Sequence, residues 1–206
     1  MTAPSPLTET AMANGALAEI GETAITDIDD PKRAAARVCK QNFGAVRDAL
    51  LRRVPWQFAQ HRVSPAAVAA PAGSPWAYRY RMPGDCIAPQ DIVGADPASW
   101  EVSSAGDDQS LGVVVDANIT APQIVYTRRI VNPAQWDALF AQVFQLMLAA
   151  KINPLIGRDK QKTNDCLLRA ERLLGTASRL DAQAQAANRV SGNTSWIAAR
   201  RGWRGA

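Results

Sequence analysis

Apolar residues near the start of the chain return every three or four positions. Met12, Ala16, Leu17 and Ile20 mark one face of a helix that begins near Leu7 and stops at Gly21. A stronger pattern follows in DIDDPKRAAARVCKQNFGAVRDALLRRVPW. There Asp29 or Asp30 is expected as the cap and Pro31 at the first helical position, with Ala35, Val38, Val46 and Leu50 at helical spacing. Pro55 ends the pattern. Because a proline drives its predecessor out of the helical region, Trp56 and Phe58 are expected to turn back beneath the helix.

Between His61 and Val131 the texture changes. Prolines punctuate short alternating or β-branched runs, WAYRYRM, SWEVS, LGVVVDANI and QIVYTRRI, which predict a small antiparallel β unit. In WAYRY, Trp76, Tyr78 and Tyr80 fall on one side and Ala77 and Arg79 on the other, the period of a half-buried strand. SSAGDDQS, residues 103–110, reads as an exposed hairpin loop. Helical spacing resumes with Asn132 as cap and Pro133 first, and Trp136, Leu139, Phe140, Val143, Phe144, Met147 and Leu148 form a broad apolar stripe that Pro154 breaks. A last helix is expected from about Asp159 to Ala187, with Cys166, Leu167, Leu173, Leu174, Ala177 and Leu180 inward and an Ala/Gln-rich end poor in large apolar residues.

The fold class predicted is mainly α with a β insertion: a four-helix bundle interrupted by a small antiparallel β unit. Residues 1–60 and 132–188 form the bundle, 61–131 the β-rich insertion, and 189–206 an extended basic C-terminal arm.

Charge sharpens the view of that arm. The 206 residues carry 23 basic and 19 acidic side chains for a net +4, and Arg189, Arg200, Arg201 and Arg204 account for four of the basic ones, so residues 1–188 are neutral overall. The stretch RVSGNTSWIAARRGWRGA has no acid at all and sets Trp196 and Trp203 among its arginines outside any periodic element. Tryptophan and arginine together are the anchors of protein interfaces. The same side chains also stack on bases or sit on phosphates, so a nucleic-acid-binding arm is the alternative reading.

Little else in the chain points to chemistry. Three cysteines at wide spacing and a single histidine, His61, argue for reduced thiols and against a zinc site or disulfide framework. No Gly-rich phosphate loop, zinc-protease helix or nucleophile elbow is present, so no catalytic residues, cofactor or metal are assigned. Asp27, Asp29 and Asp30 read as helix-cap acids, and Asp107 and Asp108 as a solvated turn. The stretch Ala138–Ala150 is too short and too polar to span a bilayer, and the N-terminus lacks a basic signal region; the expectation is synthesis in the cytoplasm and no membrane partner.

With these elements in order, the chain resembles the tail tubular protein A family, the head-to-tail adaptors of short-tailed bacteriophages. The resemblance rests on Ile20-Gly21-Glu22 closing the first helix, and on Arg52, Pro55, Trp56, Phe58 and Ala59 in an Arg-x-x-Pro-Trp-x-Phe-Ala block. It continues through Pro83, Asp85 and Cys86 after the aromatic strand, through NPAQWDALFAQVFQLMLAAKINPLI, and through the closing Ser195, Trp196, Ala199, Arg200, Arg201 and Gly202. It implies a non-enzymatic virion protein of the neck, assembled in the host cytoplasm as a dodecameric ring. That ring would lie between the portal protein and the tail nozzle, a tubular protein B-like partner, with tail fibres as a further attachment and genomic DNA passing through non-specifically. Related adaptors serve other tailed particles. On this reading Trp196, Arg200, Arg201, Trp203 and Arg204 dock on the portal. Arg158, Lys160, Lys162, Arg169, Arg172 and Arg179 line the channel or meet a neighbouring subunit.

Overall fold

Gly21 closes the first helix in the left-handed conformation, φ 77°, which glycine alone adopts without a Cβ penalty. This helix, α1 (Glu9–Ile20), starts at Thr8, whose Oγ1 accepts the Ala11 N–H at 3.1 Å. At its end the Gly21 and Glu22 N–H groups donate back to the Ala18 and Leu17 carbonyls. The computed structural model describes residues 7–70, 73–104 and 112–192, with 181–192 as helical backbone only.

The second helix, α2 (Ala34–Arg53), begins later than the acidic cap predicts. Asp27 and Asp30 each accept the amide two residues on, from Asp29 at 3.0 Å and Lys32 at 2.9 Å. These local bonds compete with the helix. Pro31 therefore lies in a turn, and Arg33 occupies the cap position without a side-chain bond. At the other end Val54 is extended before Pro55, as expected, and Trp56 folds under the helix, its Nε1–H donating to the Leu50 carbonyl at 3.0 Å.

A parallel correction applies to the third helix. Asn132 does cap, accepting the Ala134 N–H at 3.0 Å, but Pro133–Gln135 is a single 3-10 turn. Asp137 supplies a second cap to Leu139 and Phe140, and α3 (Ala138–Ile152) starts there. Trp136 is left between the two, donating to the Ile130 carbonyl at 2.9 Å. Phe140, Val143, Phe144, Leu148 and Ile152 are enclosed completely, and α1, α2 and the last helix, α4 (Lys160–Gly192), all pack on α3. A helix apolar on nearly every side belongs at the centre.

The β insertion forms two antiparallel sheets. β1 (Gln60–Val63), β7 (Ile124–Arg128) and β4 (Cys86–Ile92) make one, in that order; β2 (Ala67–Val68), β3 (Tyr78–Arg81), β6 (Val113–Ala117) and β5 (Trp100–Ser104) make the other. Tyr80, Met82, Cys86, Ile92, Val115, Ala117, Ile124 and Tyr126 fill the core of this unit. Ile87 of β4 belongs instead to the helical core, with Ile130 and Trp136, so β4 serves both. β5 and β6 pair in register from Trp100 and Ala117 to Ser104 and Val113. The loop expected between them lies largely outside the described residues.

β3 departs from the alternation expected of it. Tyr80 is buried as expected, but so is Arg79 on the opposite side, while Tyr78 is exposed. The strand register puts Arg79 across from Asp116, and the guanidinium makes two bonds to that carboxylate, at 2.7 and 2.8 Å. An ion pair thus takes the place of the solvent that the arginine was expected to face.

Candidate functional site

α4 supplies most of the basic positions singled out in the sequence. Its inward line is Cys166, Ala170, Leu174 and Ala177, all buried. Leu167 and Leu180, expected inward, are exposed instead, as is Leu168. The small side chains of Ala170 and Ala177 let α4 approach α3 closely, and the interior line follows them. Leu168 points directly away from that line, a position readable from helical spacing once the Cys166–Ala170 face is known.

Two of the six basic residues bind α4 to its own chain. Lys162 Nζ donates to the Ile20 carbonyl at 2.7 Å, placing a cation at the C-terminal end of α1 where the helix dipole favours it. Arg169 makes a two-pronged pair with Glu19 at 2.6 and 3.2 Å, and Arg53 of α2 does the same with Glu171 at 2.7 and 2.8 Å. Each exposed pair is worth roughly 0.2–1 kcal/mol, so these set the angle of α4 more than they hold the fold. Arg158, with positive φ, and Lys160 lie exposed where the chain enters α4. Arg172 and Arg179 stand on the outer face, Arg179 bonded to the Gly175 carbonyl at 3.0 Å. The structure therefore splits this set: Lys162 and Arg169 are engaged within the chain, and the outward group is Arg158, Lys160, Arg172 and Arg179.

The helix runs to Gly192, past the expected end near Ala187, and so takes in Arg189, the first arginine of the predicted arm. Trp196, Arg200, Arg201, Trp203 and Arg204 lie outside the described residues. α3 starts at Ala138, beside a cleft that Leu139 of α3 and Ala177 and Leu180 of α4 line together. Two clefts open close by. The larger, about 810 Å³, lies against the first sheet and is lined by Gln57, Gln60, Arg62, Gln90 and Asp91, with no imidazole, thiol or hydroxyl nucleophile in its wall. The smaller, about 340 Å³, has a mixed lining of Trp56, Phe58, Leu139, Ala177 and Leu180 with the polar Gln57 and Asp137. Neither cleft was legible in the sequence, since each joins segments far apart in the chain.

The cysteines, the histidine and the Asp29 carboxylate each have a structural setting. Cys39, Cys86 and Cys166 are buried and unpaired. Burial pushes the Cys39 thiol up to about 11 and, with some help from Asp85, the Cys86 thiol up to about 12, and it raises Cys166 as well. At pH 8 the folded protein is expected to resist thiol alkylation, with all three cysteines reacting once urea unfolds it; mass spectrometry counts the adducts, and rapid native labelling would contradict the geometry. His61 sits in β1 with its ring 6.3 Å from that of Tyr126. Asp29 pairs with Lys40 at 3.0 Å, and Lys40 also reaches Glu9. Among the described residues no three His, Cys, Asp or Glu side chains converge as a metal ion would need, and no described helix is long and apolar enough to cross a membrane. No protein-family model matches the chain, and no curated protein matches it.

Proposed function

We propose that this chain is the subunit of a head-to-tail adaptor: a four-helix bundle with a β insertion that assembles as a dodecameric ring between a portal and a tail nozzle, and has no catalytic activity. The observation that carries the reading is α4. Its first half is tied to α1, α2 and α3. Its second half continues beyond Leu180 for another three turns before a basic, tryptophan-bearing arm. A helix of that length, weakly apolar toward its end, is suited to reaching a partner. The Pro55-Trp56-x-Phe58 block adds support, because Trp56 packs beneath α2 and so gives the most specific motif of the resemblance a structural role.

In such a ring each subunit offers two different faces, since the contacts are head-to-tail and close on themselves. The outward Arg158, Lys160, Arg172 and Arg179 suit either a neighbour's acids or a DNA channel, where contact would be phosphate-directed and independent of sequence. The arm would dock on the portal through Trp196 and Trp203, with Arg200, Arg201 and Arg204 meeting acidic groups. Deleting residues 193–206 is expected to leave a soluble, folded body that no longer co-sediments with portal rings. Unchanged joining would sink the proposal. The nucleic-acid reading predicts instead that the deletion removes a DNA gel-shift whose strength falls steeply with salt.

A further inference from the structure

We propose that two faces of this chain fit each other on different copies: the outward stripe Asp165, Leu168 and Arg172 of α4, and the row Arg62, Val125 and Asp91 on the open face of the first sheet. The contact names the neighbour that the ring proposed above would bring to the outer face of α4, and it rests on that reading for what it builds. The sheet side follows from strand register. Arg62 of β1 and Asp91 of β4 both stand opposite Val125 of β7, so the three form one row across the sheet. Directly opposed side chains lie on the same face. The next row, Val63, Ile124 and Ile92, packs into the core of the β unit, so this row faces away from that core. There it lines the larger cleft, with Val125 half-buried at its centre and Val93 48% exposed nearby. Two strand spacings put the backbones of Arg62 and Asp91 roughly 10 Å apart. Among the described residues neither is in an ion pair.

The helix side carries the opposite order of charge at a matching spacing. Asp165, Leu168 and Arg172 stand at i, i+3 and i+7 of α4, which is one face of a helix. All three are exposed, Leu168 at 57%. From the acid to the base the helix rises about 10.5 Å, at ~1.5 Å per residue. Among the described residues Asp165 and Arg172 are not in an ion pair either. Laid across the row with Asp165 at Arg62 and Arg172 at Asp91, the helix sets Leu168 on Val125. Two ion pairs then flank one apolar contact, a polar rim around an apolar centre. The amides of Gln57, Gln60 and Gln90 in the same cleft suit the polar flank of such a helix. Shape selects this pairing over helix against helix, because a helix is convex and the cleft, at about 810 Å³, is concave. The two faces are different parts of the molecule, so each copy offers one to each neighbour and the contact is head-to-tail.

The test uses the full chain, whose self-association is followed by light scattering. Exchanging the charges of one face, Arg62→Glu with Asp91→Arg, or Asp165→Arg with Arg172→Glu, is expected to weaken association by roughly tenfold or more, because like charges then meet. Mixing the two exchanged chains, or placing both exchanges in one chain, is expected to restore it. All four positions are exposed, so the fold should survive each exchange. Cross-linking reads the order of the contact. With Val93→Cys and Leu168→Cys in one chain, a short bismaleimide is expected to give a ladder of two, three and more copies, the native thiols being buried. A ladder that stops at two copies would keep the contact, exchanged reciprocally, and remove the ring. Rings that form regardless of the charge exchanges would keep the adaptor reading and overturn the contact. Cross-linked dimers from Leu168→Cys alone would also overturn it, by pairing α4 with α4. A wild-type chain that stays monomeric at every concentration would do the same, leaving the adaptor reading to the portal co-sedimentation.

Discussion

Trp56→Ala is expected to destabilise the protein by about 3–5 kcal/mol, the range for removing a large aromatic side chain from a packed core. Trp56 is 2% exposed and meets Phe140 edge-on, with ring centroids 5.1 Å apart at 90°. Trp136 meets the same ring from elsewhere, at 5.0 Å and 78°. Phe140 is thus held between two indoles, and each indole N–H is spent on a carbonyl six residues earlier, Leu50 or Ile130. Removing Trp56 leaves a cavity beside Phe140 and takes the donor from the Leu50 carbonyl. Trp56→Phe separates the two losses: it keeps most of the packing and gives up the hydrogen bond, and should cost about 1–3 kcal/mol. Urea midpoints for the two variants at one pH give the comparison. If Trp56→Ala moves the midpoint no more than a surface substitution does, the aromatic clamp is not what joins α2 to α3.

This clamp was largely legible in advance, because its parts are local. A proline after a long helix and a tryptophan next to it appear where the spacing put them, and the apolar stripe from Leu139 onward lies on a helix, though Trp136 falls just before it. Helix starts were less legible. Asp27 and Asp30 bond the amides two residues on and form turns ahead of α2, and Asn132 caps a 3-10 turn rather than α3 itself. The inward face of α4 was misjudged for a different reason. Cys166, Leu174 and Ala177 are buried as expected, but hydrophobicity also favoured Leu167 and Leu180, which are exposed, and passed over Ala170, whose small side chain fits against α3. The expected channel set was a list of charges on one helix, and sequence had no means of showing that Lys162 would meet the Ile20 carbonyl or Arg169 would meet Glu19. Those partners lie more than a hundred residues away in the chain.

Arg79 was the least legible residue of all, and it gives the second large effect. An arginine alternating with tyrosines on a strand reads as solvent-facing, yet Arg79 and Asp116 are 8% and 2% exposed. The pair is bidentate at 2.7 and 2.8 Å, and the Ser103 hydroxyl donates to the same carboxylate. The bond from Arg79, supported by that of Ser103, holds the Asp116 carboxyl below its usual range against the cost of burial. Asp116→Asn would leave a buried guanidinium without its counter-charge, and a loss of about 3–5 kcal/mol is expected. Replacing both partners, Arg79→Met with Asp116→Leu, is expected to be close to neutral or stabilising, because it removes the desolvation cost with the pair. The pH dependence follows from the direction of the shift. A depressed carboxylate contributes its stability in full above the unfolded value of about 3.9 and loses it as pH falls through the lower folded value. The wild-type chain should therefore lose stability below about pH 4 more steeply than the double variant does. Urea unfolding at pH 7 and again at several points below about pH 4 measures both slopes, and parallel slopes would mean that Asp116 is not the acid-sensitive link between β3, β5 and β6.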